Sequence, residues 1–154
     1  MRIRALLVAG TLAVCGVLAT TGAAASAAPT TATEGVAPLA VSTYYITVRT
    51  GNLSDAGTDA NIYVTLYGSA AQSPEVQLDD SRDNFERNST ERFGPFYFTE
   101  TGPVGRIYLR KDGSGSAWYP EYVRIQNVTT GSVQVCPVYT WYGGAAVGRG
   151  WNCS

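Results

Sequence analysis

The sequence predicts an all-β fold, a sandwich of two antiparallel sheets built from about eight strands, and three observations predict it. Short runs alternate apolar and polar residues with the period of two that a half-buried strand requires. Clusters of Gly, Asn, Asp, Ser and Pro punctuate these runs as turns. Nowhere does a helical period persist for three turns.

The elements follow in order. Tyr44 to Arg49 sets Ile46 and Val48 on one face and Tyr45, Thr47 and Arg49 on the other. Ala60 to Gly68 repeats the pattern with Ile62, Val64 and Leu66 against Tyr63, Thr65 and Tyr67, and a shorter strand follows near Glu75 to Leu78. The stretch Asp79 to Glu91 is polar with Phe85 as its one apolar anchor, and a loop of that length is functional or pinned. Arg92 to Thr99 resumes the strands, Pro95 marking an edge or a bulge. Val104 to Arg110 sets Ile107 and Leu109 against Arg106, Tyr108 and Arg110. After a loop at Lys111 to Ala117, Tyr122 to Val128 and Ser132 to Trp141 complete the set, joined by a turn at Thr130-Gly131.

The N-terminus reads differently. Arg2 and Arg4, the apolar run Ala5 to Ala19 and the small residues Ala25-Ser26-Ala27 form a secretory signal over residues 1–27. An extracellular protein is therefore expected, with a flexible Ala/Pro/Thr linker at 28–42 and one domain at 43–154. No other apolar run could span a membrane, so the mature chain has no transmembrane span. Removing Arg2 and Arg4 leaves nine basic against twelve acidic residues, which excludes nucleic acid as a partner. Cys15 leaves with the signal, and Cys136 and Cys153 remain for one disulfide over the glycine-rich tail Gly143 to Gly150. The alternative is a free, buried Cys136.

The chain has no histidine, which removes Ser-His-Asp and Cys-His catalysis, histidine-held metals and the commonest general base. Paired carboxylates could still hydrolyse a glycoside. The acids, however, stand in loops beside Gly, Ser and Asn, where they suit oxygen coordination of a hard cation or simply form turns and a solvated rim. Three clusters qualify: Asp55 with Gly57 and Asp59; Asp79 and Asp80 with Asp83 and Asn84; and Asp112. Strand counting places their loops near one end of the sandwich.

The run TGNLSDAGTDANIYVTLYG from Thr50 resembles the opening of the PLAT, or lipoxygenase homology, family. FERNSTERF at Phe85 to Phe93 is similar to the family's Phe-Glu-Arg-Gly segment, with Asn88 where glycine is usual. AWYPEYVRI at Ala117 to Ile125 resembles its tryptophan segment and CPVYTW at Cys136 to Trp141 its closing strand. The resemblance implies an eight-stranded sandwich with calcium at its loops. It implies one ion shared by Asp55, the backbone of Gly57 and Asp112. Thr58 and Asp59 would serve a second, and Asp79, Asp80, Asp83 and Asn84 a third, with Arg82 standing where toxin members of the family carry glycine. Loop-tip apolar residues imply ligand contact through Leu53 and Trp118, although Trp118 and Trp141 both lie beside strands and suit packing.

The reading that results is a secreted, monomeric, non-catalytic module that binds a lipid surface or a protein partner with the help of calcium. The alternatives are a carboxylate-based secreted hydrolase or its accessory protein, and a structural envelope-associated protein using the face of Tyr63, Tyr67 and Tyr108.

Overall fold

A computed structural model describes residues 40–154. The expected secretory signal at 1–27 and most of the expected linker at 28–42 lie outside the described residues. Alternation in the sequence becomes alternation in burial: β1 (Val41–Thr50) buries every second residue, including Tyr44, Ile46 and Val48. The remaining strands are β2 (Ile62–Gly68), β3 (Val76–Leu78), β4 (Thr90–Thr99), β5 (Val104–Lys111), β6 (Pro120–Asn127), β7 (Val133–Pro137) and β8 (Val147–Asn152). They form two four-stranded antiparallel sheets, β4-β1-β6-β7 and β3-β2-β5-β8.

The core lies between the sheets. Ile46, Val48, Val123 and Ile125 from the first pack with Ile62, Val64, Leu66, Ile107 and Leu109 from the second, all fully buried. Each such side chain contributes about 1.5–3 kcal/mol. Aromatic residues fill one end, where Phe85 stacks on Phe93 at 5.4 Å between centroids and meets Trp118 edge-on at 5.3 Å. As Pro95 foretells, β4 is an edge strand, and its register with β1 shifts opposite Gly94-Pro95.

The C-terminal segment departs from expectation. The glycine-rich tail is not a bare loop: Val147–Asn152 forms β8 and pairs with β5 along its length. Its outward glycines leave room for neighbours, because a Cβ at Gly148 would collide with the ring of Tyr108 and one at Gly150 with the guanidinium of Arg106. The strand before it ends at Pro137 rather than Trp141, and Tyr139 turns away with φ 43°. The Cys136–Cys153 disulfide forms across this edge, and Ser154 exchanges backbone hydrogen bonds with Val135 at 3.0 and 2.9 Å. The tail thus fastens one sheet to the other. Among the described residues no helix is long and apolar enough to cross a membrane.

Register fixes which loops share an end. The end of β1 lies beside the starts of β4 and β6 (Arg49 opposite Thr90, Thr50 opposite Pro120). The start of β2 lies beside the ends of β3 and β5 (Ile62 opposite Leu78 and Lys111), and Val147 opens β8 opposite Lys111. The β1–β2, β3–β4, β5–β6 and β7–β8 connections therefore emerge together.

Candidate metal centre

Backbone hydrogen bonds weld the three acidic loops. Thr58 N donates to Phe85 O (3.2 Å), Tyr119 N to Ala56 O (3.0 Å), Asp112 N to Asn61 O (3.0 Å) and Asn88 N to Gly51 O (3.1 Å). The close approach at Gly57 demands glycine: a Cβ there would sit 2.9 Å from Arg87 N and 3.1 Å from Phe85 O. Phe85 itself takes φ 63° and is buried, so the long polar loop is pinned by its one apolar residue.

The pinning brings three exposed carboxylates together. One oxygen each from Asp59, Asp83 and Glu86 lie within 4.8 Å of one another. Beside them a depression of about 160 Å³ is lined by Asp59, Asp79, Asp83 and Asn84 among others. Asn84 is only 9 % exposed; its Nδ2 donates to Asp79 Oδ1 at 3.1 Å, while its Oδ1 is buried without a partner. Such an orphaned acceptor costs about 1–3 kcal/mol unless something satisfies it. Carboxylate and amide oxygens with no nitrogen or sulfur donor form the set that a hard divalent cation takes.

Several expected ligands are committed elsewhere. Both oxygens of Asp112 receive donors, from Asn61 N (3.3 Å), Asn61 Nδ2 (2.6 Å), Ser114 N (3.0 Å) and the Ser114 hydroxyl. These bonds, that of the Ser114 hydroxyl foremost, hold its carboxyl down to about 2. Behind it the buried ammonium of Lys111 donates to the carbonyls of Asp112 (3.2 Å) and Ser114 (2.7 Å). Asp112 thus fastens its own loop, with the Lys111 ammonium at its back, and the structure does not group it with Asp55. Asp55, at φ 60°, is exposed and lies outside the carboxylate trio. Asp80 is likewise taken by Arg82, through Nε at 2.9–3.0 Å, the backbone N–H at 2.9 Å and the terminal amino group. Arg82's hydrogen bonds hold that carboxyl down to about 2 as well.

Thr58 is buried, its hydroxyl donating to Ser116 O (2.9 Å) and accepting from Ala60 N (3.2 Å), so it ties loops rather than reaching a ligand. The Gly57 carbonyl accepts from the Ser116 hydroxyl at 2.8 Å. Trp118 is also corrected as a ligand contact: it is fully buried and donates from Nε1 to Thr50 Oγ1 at 3.1 Å. Leu53 does stand out, 44 % exposed at the loop end. Sequence reading missed Glu86, hidden inside a recognised segment, although it lies three residues after Asp83 in the same loop. It also missed Trp141, which is not core but 41 % exposed, its ring 5.2 Å from that of Tyr119. Pro137 carried the signal, because the strand stops there.

Residues 44–148 match the family model for the PLAT/LH2 domain. The chain belongs to the PLAT/LH2 domain family. Its PLAT residues are 35 % identical over 100 residues to the mouse (Mus musculus) lipoxygenase homology domain-containing protein 1, covering 64 % of this chain and 5 % of that protein. They are 30 % identical over 105 residues to the hydroperoxide isomerase ALOXE3 of Rattus norvegicus, covering 66 % of this chain and 15 % of the relative. The chain thus spans a small fraction of the curated relatives it matches. Among solved structures, the coral 8R-lipoxygenase superposes with a TM-score of 0.64 at 26 % identity, over 75 % of this chain and 17 % of that one. The alpha toxin of Clostridium absonum shares the fold, with a TM-score of 0.55 at 17 % identity over 78 % of this chain and 33 % of that one. In the PLAT domain described here, the eight strands in two four-stranded sheets are that same sandwich.

Proposed function

We propose that this PLAT domain is an exported, monomeric, non-catalytic module that binds calcium at its loop end and, so charged, docks on a lipid surface. The observation that carries the reading is the grouping of Asp59, Asp83 and Glu86, two of which line the same depression as Asn84 with its unpartnered Oδ1. Those residues would hold the ion; Asp79, already bonded to Asn84, would orient the amide. Bound calcium would supply a positive centre at an otherwise acidic end, suited to an anionic headgroup. The coral 8R-lipoxygenase, described as activated by calcium via a C2-like domain, supports the same reading. Leu53 and Trp141 would meet the apolar layer of the lipid.

Glycoside hydrolysis is less well supported. It needs one carboxyl kept protonated by burial, and these three stand exposed.

Calorimetric titration of calcium into the chelator-stripped protein tests the ion, with Asp83→Asn/Glu86→Gln as the control. Saturable binding with a raised Tm, lost in the double variant, is the expected result. An unchanged melt at millimolar calcium would sink it. Co-sedimentation with phosphatidylserine vesicles, with and without calcium, tests the lipid surface; a soluble protein partner becomes the better reading if calcium binds but vesicles do not.

A further inference from the structure

The outward face of the β4-β1-β6-β7 sheet carries charge of the opposite sign to the loop end. Register sets Arg92 of β4 beside Thr47 of β1, and Thr47 beside Arg124 of β6. The two arginines therefore stand two strand spacings apart, about 10 Å. Arg49, two residues along β1, is the diagonal neighbour of both at about 7–8 Å.

Two members of this triangle are held in place. The guanidinium of Arg92 lies 3.5 Å above the centroid of the Tyr45 ring, with Nη2 donating to Gln126 Oε1 at 3.4 Å. Arg49 donates to Asn88 O at 2.6 Å and lies 3.5 Å from Glu121. Among the described residues Glu121 is the one carboxylate paired with any of the three, and neither Arg92 nor Arg124 is in an ion pair. Three guanidinium groups against one carboxylate leave a local excess of positive charge on a chain whose net charge is −1.

We propose that this face binds a linear polysaccharide bearing carboxylate groups. A guanidinium is a planar fork that matches a carboxylate with two parallel hydrogen bonds. Arg92 and Arg124, both outside any ion pair, set two forks two strand spacings apart, with the charge of Arg49 between them, which suits charges repeated along a polymer. Thr47 and Gln126 stand between and beside the arginines with a hydroxyl and an amide for sugar hydroxyls, and Tyr97, 68 % exposed, adds a ring surface with a polar tip. A second copy is disfavoured, because symmetric pairing through this face would set arginine against arginine. A bilayer met by the loop end would lie across that end and not along this face. The proposal is independent of calcium.

The test is affinity electrophoresis of the purified protein, in chelator, through gels containing polygalacturonate, with dextran as the uncharged polymer. Polygalacturonate is expected to retard the protein and dextran not, with retardation fading as salt rises. Arg92→Gln/Arg124→Gln should weaken binding about tenfold or more while the protein stays folded, with only a small loss of Tm from the lost Tyr45 contact, whereas Asp83→Asn/Glu86→Gln should bind as the parent does. Absence of retardation, or equal retardation of the arginine variant, would overturn the proposal. Equal affinity for poly-L-glutamate would reassign the face to an acidic polypeptide, and arginine-dependent capture by phosphatidylglycerol vesicles would reassign it to lipid.

Discussion

Both oxygens of Glu91 accept the backbone N–H of Phe85, at 3.0 and 2.9 Å, and through this contact a buried carboxylate at the start of β4 holds the left-handed turn that presents Asp83, Asn84 and Glu86. Glu91 is 6 % exposed, and burial raises its pKa above the ordinary carboxylate value of 4.5, only partly opposed by the Phe85 bond. A raised carboxyl pKa means that the fold favours the protonated form. The associated stability is full below about pH 4.5, the unfolded value, and is lost as pH rises through the folded one. Against Glu91→Gln, the wild type should lose Tm over that window and hold a constant difference below it. Glu91→Ala should cost about 1–3 kcal/mol by stranding the Phe85 N–H, and should weaken calcium binding as well. Chemical denaturation and calorimetry on the two variants measure both effects.

Asp112 runs the other way. Its carboxyl is held down to about 2 from the ordinary 3.8, so its contribution is present above pH 3.8 and disappears as pH falls through 2. Asp112→Asn should flatten the acid limb of a Tm-against-pH curve while leaving calcium binding near that of the wild type. Loss of calcium binding in this variant would restore Asp112 to the ion.

The two tryptophans should separate stability from surface contact. Trp118→Ala empties a fully buried site and should cost about 3–5 kcal/mol. Trp141→Ala removes a ring 41 % exposed on the loop end and should cost well under that in urea denaturation. It should nonetheless reduce vesicle co-sedimentation. A Trp141 variant that melts like the Trp118 variant would place it in the core.

The Cys136–Cys153 bond closes a separation of 17 residues, and replacing both cysteines by serine should cost on the order of 3 kcal/mol in the chain-entropy model. Its loss should also free Ser154 from Val135 and speed exchange of those amides, visible by hydrogen exchange.

Much of the sandwich was legible in the chain because burial on one face of a sheet writes a period of two, as Ile46 and Val48 or Ile107 and Leu109 show. The tail was not legible. Val147–Asn152 is a strand made acceptable by the side chains of Tyr108 and Arg106 lying over Gly148 and Gly150, a contact between residues about 40 apart.

The same division holds at the loop end. Sequence by itself determined that the acids gather in turn-rich loops beside glycine, and that histidine chemistry is absent. Only the tertiary structure decided which acids meet: Asp59 joins Asp83 and Glu86 because Thr58 N bonds Phe85 O. Asp112 and Asp80 are bonded instead to Ser114, Asn61 and Arg82. A carboxylate's availability depends on which donors lie within about 3 Å of it, and apart from near neighbours in the chain those are set by how strands align.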